Sequence, residues 1–391
     1  MKKVSIILSL ALISALNAAE FKSVEMTNDW QKTFGGTKKD RPYAVTATSD
    51  GGAVVAGACK SFSEGRTDAC ALKMDAKGNI LWTKSYGGKK RDAALSAVET
   101  TDGNIVLVGN SMSYSEDGDS DIFVLKLNQN GQLLWKNTYG GIEDEFGNGV
   151  DAIAKGGVII AGSTESYGKG NKDVYFLKLN GDGKVLAESA IGGSGDDYAN
   201  AIALTNDGNY VLGGASESYG DNGFDFYYLK FTPSGGMLWE KTYGGEQDDV
   251  IHDLVSAGGK GDFAFAGMTK SYGSKHKDLT VLKMYADGNN YWHKIFGFKS
   301  KEYANSLTPT KDGGFMVAGT TKSFGYGKYD FYCVRLNSKG NLIWANVYGE
   351  KDKDVAHGVT QIKNGEFIVV GQTDSYGKGS DDFFMMNLRD K

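Results

Sequence analysis

The segment 239–249 reads WEKTYGGEQDD and the segment 312–325 reads DGGFMVAGTTKSFG; between them they contain most of a unit that recurs along the chain. Tryptophan marks one point of this unit in six copies, and an alanine fills the same point in the remaining copy. Successive anchors are 52 or 53 residues apart, at Trp30, Trp82, Trp135, Ala187, Trp239, Trp292 and Trp344. Seven copies at one period predict a repeat architecture.

Each unit contains four short apolar runs separated by turn residues. In the third unit the predicted strands a to d are Gly149–Ala154, Val158–Thr164, Val174–Leu179 and Val185–Ile191. The glycines between them suit tight turns, because glycine adopts a positive φ without strain. No stretch has an apolar period of 3.6 residues, so essentially no helix is expected. Four-stranded units of roughly 40–50 residues predict an all-β fold, a single seven-bladed β-propeller.

The chain also contains the means to close the ring. Its last predicted strand, Asp382–Leu388, is a strand c that no strand d follows. A run near the N-terminus, Asn28–Phe34, matches the missing strand d. We therefore predict one propeller over residues 20–391, in which an N-terminal strand completes the last blade, since closure leaves no long unpaired sheet edge.

Residues 1–18 have the pattern of a signal peptide. Lys2 and Lys3 precede the apolar run Val4–Leu16, and Ala18 offers a small residue for cleavage. The run is shorter than the ~20 residues of a membrane span. Removing the two lysines takes the formal net charge from −5 to −7, which argues against a general nucleic-acid binder. We expect a periplasmic or secreted monomer without a membrane span.

The repeated string W-x-K-T-Y-G-G, followed by D-G-G, A-G-x-T-x-S-Y-G and L-K-L, resembles the secreted bacterial and archaeal β-propeller-repeat proteins. The resemblance covers all seven units. The G-H and W-D pairs of WD40 repeats are absent. Because that family is largely without an assigned activity, the resemblance implies a fold and export, and it carries over no catalytic residue.

Two sets of residues recur in every unit. An aspartate opens each strand c, where it can accept hydrogen bonds from backbone N–H groups of the preceding loop: Asp68, Asp121, Asp173, Asp225, Asp278, Asp330 and Asp382. An aromatic residue lies in each loop between strands b and c: Phe62, Tyr114, Tyr167, Tyr219, Tyr272, Phe324 and Tyr376. The aspartates are interpreted as structural, and the rings suit either packing between blades or a ligand-facing rim.

A third set is acidic and lies where the chain passes from strand d of one blade to strand a of the next: Asp40, Asp92, Glu145, Asp197, Asp249, Glu302 and Asp354. Three residues further on, the corresponding positions hold Tyr43, Leu95, Asn148, Asn200, His252, Asn305 and His357. The first interpretation is that these acids cap the adjoining loop locally. The alternative is a polar ring that holds a cation or a polar ligand at the axis. Two histidines from non-adjacent blades do not predict a zinc site.

The clearest departure from the repeat is the charge of the d–a loops. These loops are basic in units 1, 2, 6 and 7, where the main candidates are Lys89, Lys90, Arg91, Lys351 and Lys353. They are acidic in units 3, 4 and 5. In a closed ring the two groups form two halves of one face, which the b–c loops share. Such a face would orient a charged partner, and the alternative is solvated surface charge without a partner.

The b–c loop of the second unit suggests a weak calcium site. Asp117, Asp119 and Asp121 alternate there, as carboxylates of calcium loops do. The twelfth position counted from Asp117 is Asn128 rather than the glutamate of an EF-hand. A solvated acidic loop, with no cofactor, is the favoured interpretation.

The three cysteines divide into a pair and a single residue. Cys59 ends strand b and Cys70 lies early in strand c of the same hairpin, so the two positions oppose each other. In an oxidising compartment this placement predicts a disulfide. Cys333 is expected to pack inside its blade. No thiol-redox motif is present.

No catalytic signature occurs, neither G-x-S-x-G, H-E-x-x-H, C-x-x-C nor a phosphate-binding glycine loop. We therefore favour an exported, non-catalytic interaction module whose b–c/d–a loop face docks another exported or envelope protein. The first alternative is a glycan or small-ligand binder, and the second is a carboxylate-based hydrolase or lyase at the channel mouth. Besides the basic loops, the candidate binding residues are Asp197, Asn200, Asp249, His252, Glu302, Asn305, Asp354 and His357.

Overall fold

The computed structural model describes residues 29–63, 65–115 and 118–390, which form seven four-stranded antiparallel sheets. The predicted all-β, seven-bladed propeller is confirmed. In the order a, b, c, d, the strands of blades 1 to 4 are Asp40–Ala47, Ala53–Cys59, Asp68–Met74, Ile80–Tyr86; Asp92–Glu99, Ile105–Ser111, Asp121–Leu127, Leu133–Tyr139; Glu145–Ala152, Val158–Thr164, Asp173–Leu179, Val185–Ile191; and Asp197–Leu204, Tyr210–Ser216, Asp225–Phe231, Met237–Tyr243.

Blades 5 to 7 continue the pattern, and the last one takes its strand d from the N-terminal region. Their strands are Asp249–Ser256, Phe263–Thr269, Asp278–Met284, Asn290–Phe296; Glu302–Pro309, Phe315–Thr321, Asp330–Leu336, Leu342–Tyr348; and Asp354–Gln361, Phe367–Thr373, Asp382–Leu388, Gln31–Phe34. The N-terminal strand pairs antiparallel with Asp382–Leu388, so the ring is closed as predicted.

Several predicted strand limits were wrong. In blade 3, strand a runs over Glu145–Ala152 instead of Gly149–Ala154, because a bulge at its fourth residue breaks the apolar alternation that marks a strand. Strand c begins one residue earlier than predicted, at Asp173. The closing strand begins at Gln31, and Asn28 lies outside the described residues, as does the predicted signal peptide. One 3₁₀ turn, Ala154–Gly156, is the only helical element in the described part of the chain.

The hydrophobic core lies between neighbouring blades. At the junction that closes the ring, Phe383 and Met385 of blade 7 pack with Val55 and Leu72 of blade 1, all of them fully buried or nearly so. Strands b and c of each sheet therefore have both faces covered, which explains why nearly all of their residues are buried. None of the helices among the described residues has the length and apolar character needed to span a membrane.

The repeated tryptophans join each blade to the next one. Trp82 of strand d in blade 1 donates its Nε1–H to the Gln129 carbonyl in the c–d turn of blade 2, at 2.9 Å. The same turn needs glycine at Gly131, which has a φ of +72° and on which a Cβ would lie 3.0 Å from the Trp82 ring. The tryptophan and the turn glycine are therefore repeated together because they form one contact.

A backbone hydrogen bond repeats at all seven junctions. The first N–H of each strand a donates to the carbonyl of the residue just before strand c of the preceding blade, as in Asp92 to Thr67 at 2.9 Å and Asp197 to Lys172 at 2.7 Å. The junction between blade 7 and blade 1 has the same bond, from Asp40 to Asp381 at 3.2 Å. The b–c and d–a loops thus lie on one face, as predicted. We call it the upper face, and the face formed by the a–b and c–d turns the lower face.

Candidate functional site

The first residue of every strand a is an acid, and we call these seven residues the acidic anchors. Each one accepts a hydrogen bond from the backbone N–H four residues earlier, for example Asp354 from Glu350 at 2.9 Å. Hydroxyl groups of the same blade donate further hydrogen bonds, as Thr373 and Ser375 both do to Asp354. All anchors are buried, with at most 1% of the residue exposed: Asp40, Asp92, Glu145, Asp197, Asp249, Glu302 and Asp354.

This arrangement agrees with local capping, the first interpretation of these acids, and differs from its alternative, an acidic ring at the axis. The acidic anchors turn into the blade and cap its loops, so they do not line the channel. Asp197, Asp249, Glu302 and Asp354 are therefore not among the residues of the cavity wall. Carboxylate chemistry at the channel mouth would need an acid within reach of the cavity, and none of the anchors lines its wall.

The aspartates that open strand c have the structural role that the repeat predicted. Asp173 accepts from the backbone N–H groups of Lys169 and Gly170, at 2.8 and 3.0 Å. Its other carboxylate oxygen lies against Gly192, where a Cβ would be 2.1 Å away, so the first residue of this d–a loop must be glycine. Burial raises the pKa of the equivalent Asp330 to about 6, against the opposing hydrogen bond from Gly327.

The channel is lined by residues that follow the anchors by three positions, and we call them the channel ring. In every blade the ring residue is the extra residue of a β-bulge, where the register of strand a against strand b shifts by one: Tyr43, Leu95, Asn148, Asn200, His252, Asn305 and His357. A bulge re-aims a side chain out of the normal alternation, and here it directs the ring residue to the axis.

The channel ring encloses a cavity of about 400 Å³. Its wall consists of the seven ring residues together with Tyr198 and Val250. All nine belong to the first four residues of a strand a, so the cavity lies at the end of the channel where the d–a loops enter. The volume falls within the range of small-molecule sites, roughly 300–1,000 Å³.

Four ring side chains reach across a blade boundary to a backbone carbonyl. Asn148 donates its Nδ2–H to the Ala199 carbonyl at 2.9 Å, and Asn200 donates to Ile251 at 2.7 Å. His252 Nδ1 lies 2.7 Å from the Ala304 carbonyl, and Asn305 Nδ2 lies 2.7 Å from the Ala356 carbonyl. In every case the acceptor precedes the ring residue of the next blade. The bonds therefore form a chain from blade 3 to blade 7, where it ends at His357, whose side chain contacts Gln372 of its own blade.

The two ring histidines are held in the neutral form. A carbonyl can only accept a hydrogen bond, so Nδ1 of His252 carries the proton and Nε2 carries the lone pair. Burial lowers the pKa of His252, and burial lowers that of His357 to about 4. His357 Nε2 lies 3.2 Å from Oε1 of Gln372, whose amide nitrogen donates to Asp381. His357 is therefore the donor to Gln372.

The basic loops of the upper face are largely open to solvent. Lys89, Lys90, Arg91 and Lys351 are exposed, and Lys353 is half-buried. In blades 7 and 1 the positive charge is partly neutralised, because Arg41 pairs with Asp381 at 2.6 Å. The acidic half is partly neutralised as well.

In the acidic half, Lys270 pairs with Asp248. Among the described residues, Asp144 and Asp196 have no such basic partner. Blades 3 and 4 consequently keep an uncompensated negative charge next to the channel.

Large apolar side chains are also exposed on the upper face. Ile142 is 72% exposed and Tyr326 is 61% exposed. Phe62, Tyr167, Tyr219 and Phe298 are exposed by between 37% and 48%. The b–c aromatics combine this exposure with packing, since Tyr167 stacks on Tyr175 and donates its hydroxyl to the Gly140 carbonyl.

The sequence-predicted site residues thus separate into three places. Asn200, His252, Asn305 and His357 meet at the cavity, the acidic anchors are buried in the blades, and the basic residues lie on the outer part of the upper face. Sequence reasoning did not identify Tyr198 and Val250 as cavity residues. Each follows an acidic anchor directly, a position whose side chain changes from blade to blade, and that variation was the available signal.

The remaining predicted sites involve the second b–c loop and the cysteines. Asp117 lies outside the described residues, and Asp121 is one of the strand-c aspartates. In the part of the chain that the structure describes, no group of three or more His, Cys, Asp or Glu residues is placed to hold a metal ion. Cys59 and Cys70 form a disulfide with Cα atoms 5.8 Å apart, and Cys333 is buried.

Comparison with known sequences supports a propeller-repeat family. A family described as domain of unknown function (DUF5122) beta-propeller matches residues 100–133. The regulatory protein FlaEY of Caulobacter vibrioides is 24% identical over 180 residues, which cover 40% of this chain and 19% of that protein. The chain therefore spans about a fifth of the length of the curated relative that it matches.

Solved structures with the same fold cover almost the whole chain. The WD40 domain of Neurospora crassa Pan2 has a TM-score of 0.55 at 9% identity, with 95% of this chain and 98% of that chain covered. A Dyadobacter fermentans protein of unknown function gives 0.55 at 12% identity, with 94% and 99% covered. The extracellular domain of a hybrid two-component system from B. thetaiotaomicron gives 0.50 at 10%, with 91% and 40% covered. Such identities show the fold alone.

Proposed function

We propose that the protein is an exported, non-catalytic interaction module whose upper face docks another exported or envelope protein. The observation that carries the proposal is the combination of apolar and charged residues on this one face. Ile142 and Tyr326 offer large apolar contacts, and the loops around them are basic over one arc and acidic over the other. Exposed apolar side chains beside charged loops are the kinds of residue that protein interfaces combine.

The charge pattern gives the docked partner an orientation. Lys89, Lys90 and Arg91 form an exposed run of three positive charges beside blade 2, whereas Asp196 and Asp248 lie on the acidic arc. A partner with the complementary pattern is attracted in one rotational setting and repelled in the opposite one. Complementary charges of this kind act mainly on association rate and specificity, and their effect is screened by salt.

Export is the second part of the proposal, and it rests on the sequence. Lys2 and Lys3 before the apolar run Val4–Leu16 have the order of a secretory signal. A Cys59–Cys70 disulfide is consistent with an oxidising compartment. Cell fractionation with an antibody against the chain, together with N-terminal sequencing of the purified protein, tests this part. A protein that stays in the cytoplasm with Met1 attached contradicts it.

Crosslinked affinity capture from the native cells tests the docking surface. The test variant carries Lys89→Glu, Lys90→Glu and Arg91→Glu on the upper face. The matched control carries Lys77→Glu, Lys184→Glu and Lys339→Glu, three exposed lysines of the c–d turns on the lower face, and so changes the net charge equally. Mass spectrometry of the crosslinked peptides identifies the residues that touch the partner.

We expect one partner to be captured by the wild type and by the control, with crosslinks to the upper face, and at least tenfold less of it by the test variant. Raising the salt from 50 to 500 mM weakens the capture. If the test variant and the control capture the partner equally, or if the crosslinks lie on the lower face, docking through the upper face is wrong.

A further inference from the structure

The cavity inside the channel ring is lined by polar ring residues on one side and largely apolar ones on the other. Its ring residues from blades 3 to 7 are amides and imidazoles, whereas those from blades 1 and 2 are Tyr43 and Leu95. Tyr198 of blade 4 and Val250 of blade 5 complete the wall on the polar side. A cavity of about 400 Å³ with one polar arc and one largely apolar arc is suited to a small amphiphilic molecule.

The polar arc presents hydrogen-bond acceptors. Asn148, Asn200 and Asn305 each turn the amide nitrogen toward the carbonyl of the next blade. None of their Oδ1 atoms accepts a hydrogen bond from a described residue. The neutral His252 adds the lone pair of Nε2, because its Nδ1 is bound to the Ala304 carbonyl. An occupant of this arc therefore has to supply the hydrogen-bond donors.

Charge favours a cation at the same arc. Asp144, Asp196 and Asp248 precede the acidic anchors of blades 3, 4 and 5, the blades that contribute Asn148, Asn200 and His252. Asp248 is paired with Lys270, and Lys277 lies near enough to His252 to lower its pKa further. Asp144 and Asp196 are not paired with a basic residue of the described chain, and Lys172 of blade 3 is paired with Glu165, so the blades of Asn148 and Asn200 contribute two unpaired carboxylates.

We propose that the channel ring binds a small molecule that carries a primary ammonium group on an apolar body. The ammonium group donates to the amide oxygens of Asn148 and Asn200 and to Nε2 of His252. The apolar body lies against Tyr43 and Leu95. This site is separate from the outer loops of the upper face, and it does not depend on a docked protein.

Isothermal titration calorimetry on the purified full chain tests the proposal with two primary amines, phenethylamine, which has an aromatic body, and n-hexylamine, which has an alkyl body. Phenethyl alcohol is the neutral counterpart of the first amine, and potassium chloride supplies an inorganic cation. We expect saturable one-to-one binding of at least one amine and at least tenfold weaker binding of the alcohol. Potassium is expected to leave the amine affinity within twofold of its value at matched ionic strength.

The variant that tests the arc is Asn148→Leu combined with Asn200→Leu. Leucine is already the ring residue of blade 2, at Leu95, so the bulge accommodates this side chain. The control is Asn222→Leu, an exposed asparagine of the blade 4 b–c loop outside the cavity wall. We expect at least a tenfold loss of amine affinity in the double variant and less than a twofold change in the control.

The proposal would be overturned by no binding of either amine, by equal affinity for the alcohol, or by undiminished affinity in the folded double variant. Displacement of the amine by millimolar potassium at constant ionic strength would also overturn it, since it would identify an inorganic cation site. The comparison of probes on the wild type decides the question even if the double variant does not fold. A failure here leaves the docking surface untouched, because the capture variants lie outside the cavity.

Discussion

The acidic anchors and the channel ring lie three residues apart on the same seven strands, yet they differ in almost every respect. The anchors are acidic in every blade, buried, and bonded within their own loops, as Asp354 is to Glu350 and Thr373. The ring residues are half-buried and vary from leucine to histidine, and four of them reach toward the neighbouring blade. In a repeat protein a residue that never changes builds the repeat, whereas a residue that changes at a fixed position is the better candidate for a specific site.

Among the variants discussed, the loss of an acidic anchor is expected to lower the free energy of unfolding most. Asp354→Ala leaves the backbone N–H of Glu350 and the hydroxyls of Thr373 and Ser375 without their acceptor. We expect the free energy of unfolding to fall by about 4 kcal/mol, since each buried unsatisfied donor costs ~1–3 kcal/mol. Denaturant titration of the variant and the wild type measures the difference. A loss below about 1 kcal/mol would contradict the structural role of the anchors.

Blade 1 provides a second test, because Cys59 stands where other blades have a hydroxyl that donates to the anchor, as Thr164 does in blade 3. Replacing both Cys59 and Cys70 by alanine removes the disulfide, and we expect a loss of about 3 kcal/mol. Cys59→Ser with Cys70→Ala restores a hydroxyl next to Asp40 and should recover about 1 kcal/mol of that loss. Thermal or denaturant unfolding of the two variants decides this. Identical stabilities would show that the anchor needs no hydroxyl.

The pH dependence of stability separates two groups next to the channel. Burial raises the pKa of Asp253 to about 6, so the folded state binds a proton that the unfolded state releases near pH 4, and stability falls as the pH rises from 4 to 6. Burial lowers the pKa of His357 to about 4, so the unfolded state binds the extra proton, and stability rises from pH 4 to 6.5. Each contribution is about 2–3 kcal/mol and the two oppose each other.

Single variants reveal these two contributions. Compared with the wild type, Asp253→Asn should gain stability with pH more steeply between pH 4 and 6.5, and His357→Gln should gain it less steeply or lose it. Denaturant midpoints measured at half-unit intervals of pH provide the comparison. Parallel profiles for the wild type and both variants would show that the fold shifts the pKa of neither side chain.

The smallest effect is expected for an exchange within the channel ring. Asn305→Leu removes one hydrogen bond to the Ala356 carbonyl from a half-buried position, and leucine is already tolerated in the ring at Leu95. We expect a loss of no more than about 1 kcal/mol. Unfolding of Asn305→Leu beside Asp354→Ala, on the next blade, gives the contrast directly. Equal losses would remove the distinction between anchors and ring.

Much of the fold could be read from the sequence, because a repeat compares its own copies. The tryptophan spacing fixed the number of blades, and the unpaired Asp382–Leu388 identified the need for an N-terminal strand. The start of strand a could not be read, because the bulge at Asn148 interrupts the alternation on which such a prediction depends.

The site was predicted less completely, for a related reason. The sequence placed the anchors and the channel ring correctly along the chain, but it could not show which of the two faces the axis. Whether Asp249 or His252 points into the channel depends on the bulge between them and on the serine and threonine hydroxyls that draw the acid inward in most blades. The division of the upper face into a basic and an acidic half, in contrast, followed from ring closure alone.

Blade 7, which takes strands from both the N-terminal and the C-terminal regions, can be completed only late in synthesis. Blades 1 to 6 are built from contiguous sequence and can fold as the nascent chain lengthens, whereas Gln31 meets its partner Met386 only after some 350 further residues have been made. Until Asp382–Leu388 has been made, Gln31–Phe34 cannot form this pairing, and the sheet of blade 7 lacks its strand d. Closure of the ring thus depends on a pairing between two strands that are very far apart in sequence, and such contacts form slowly.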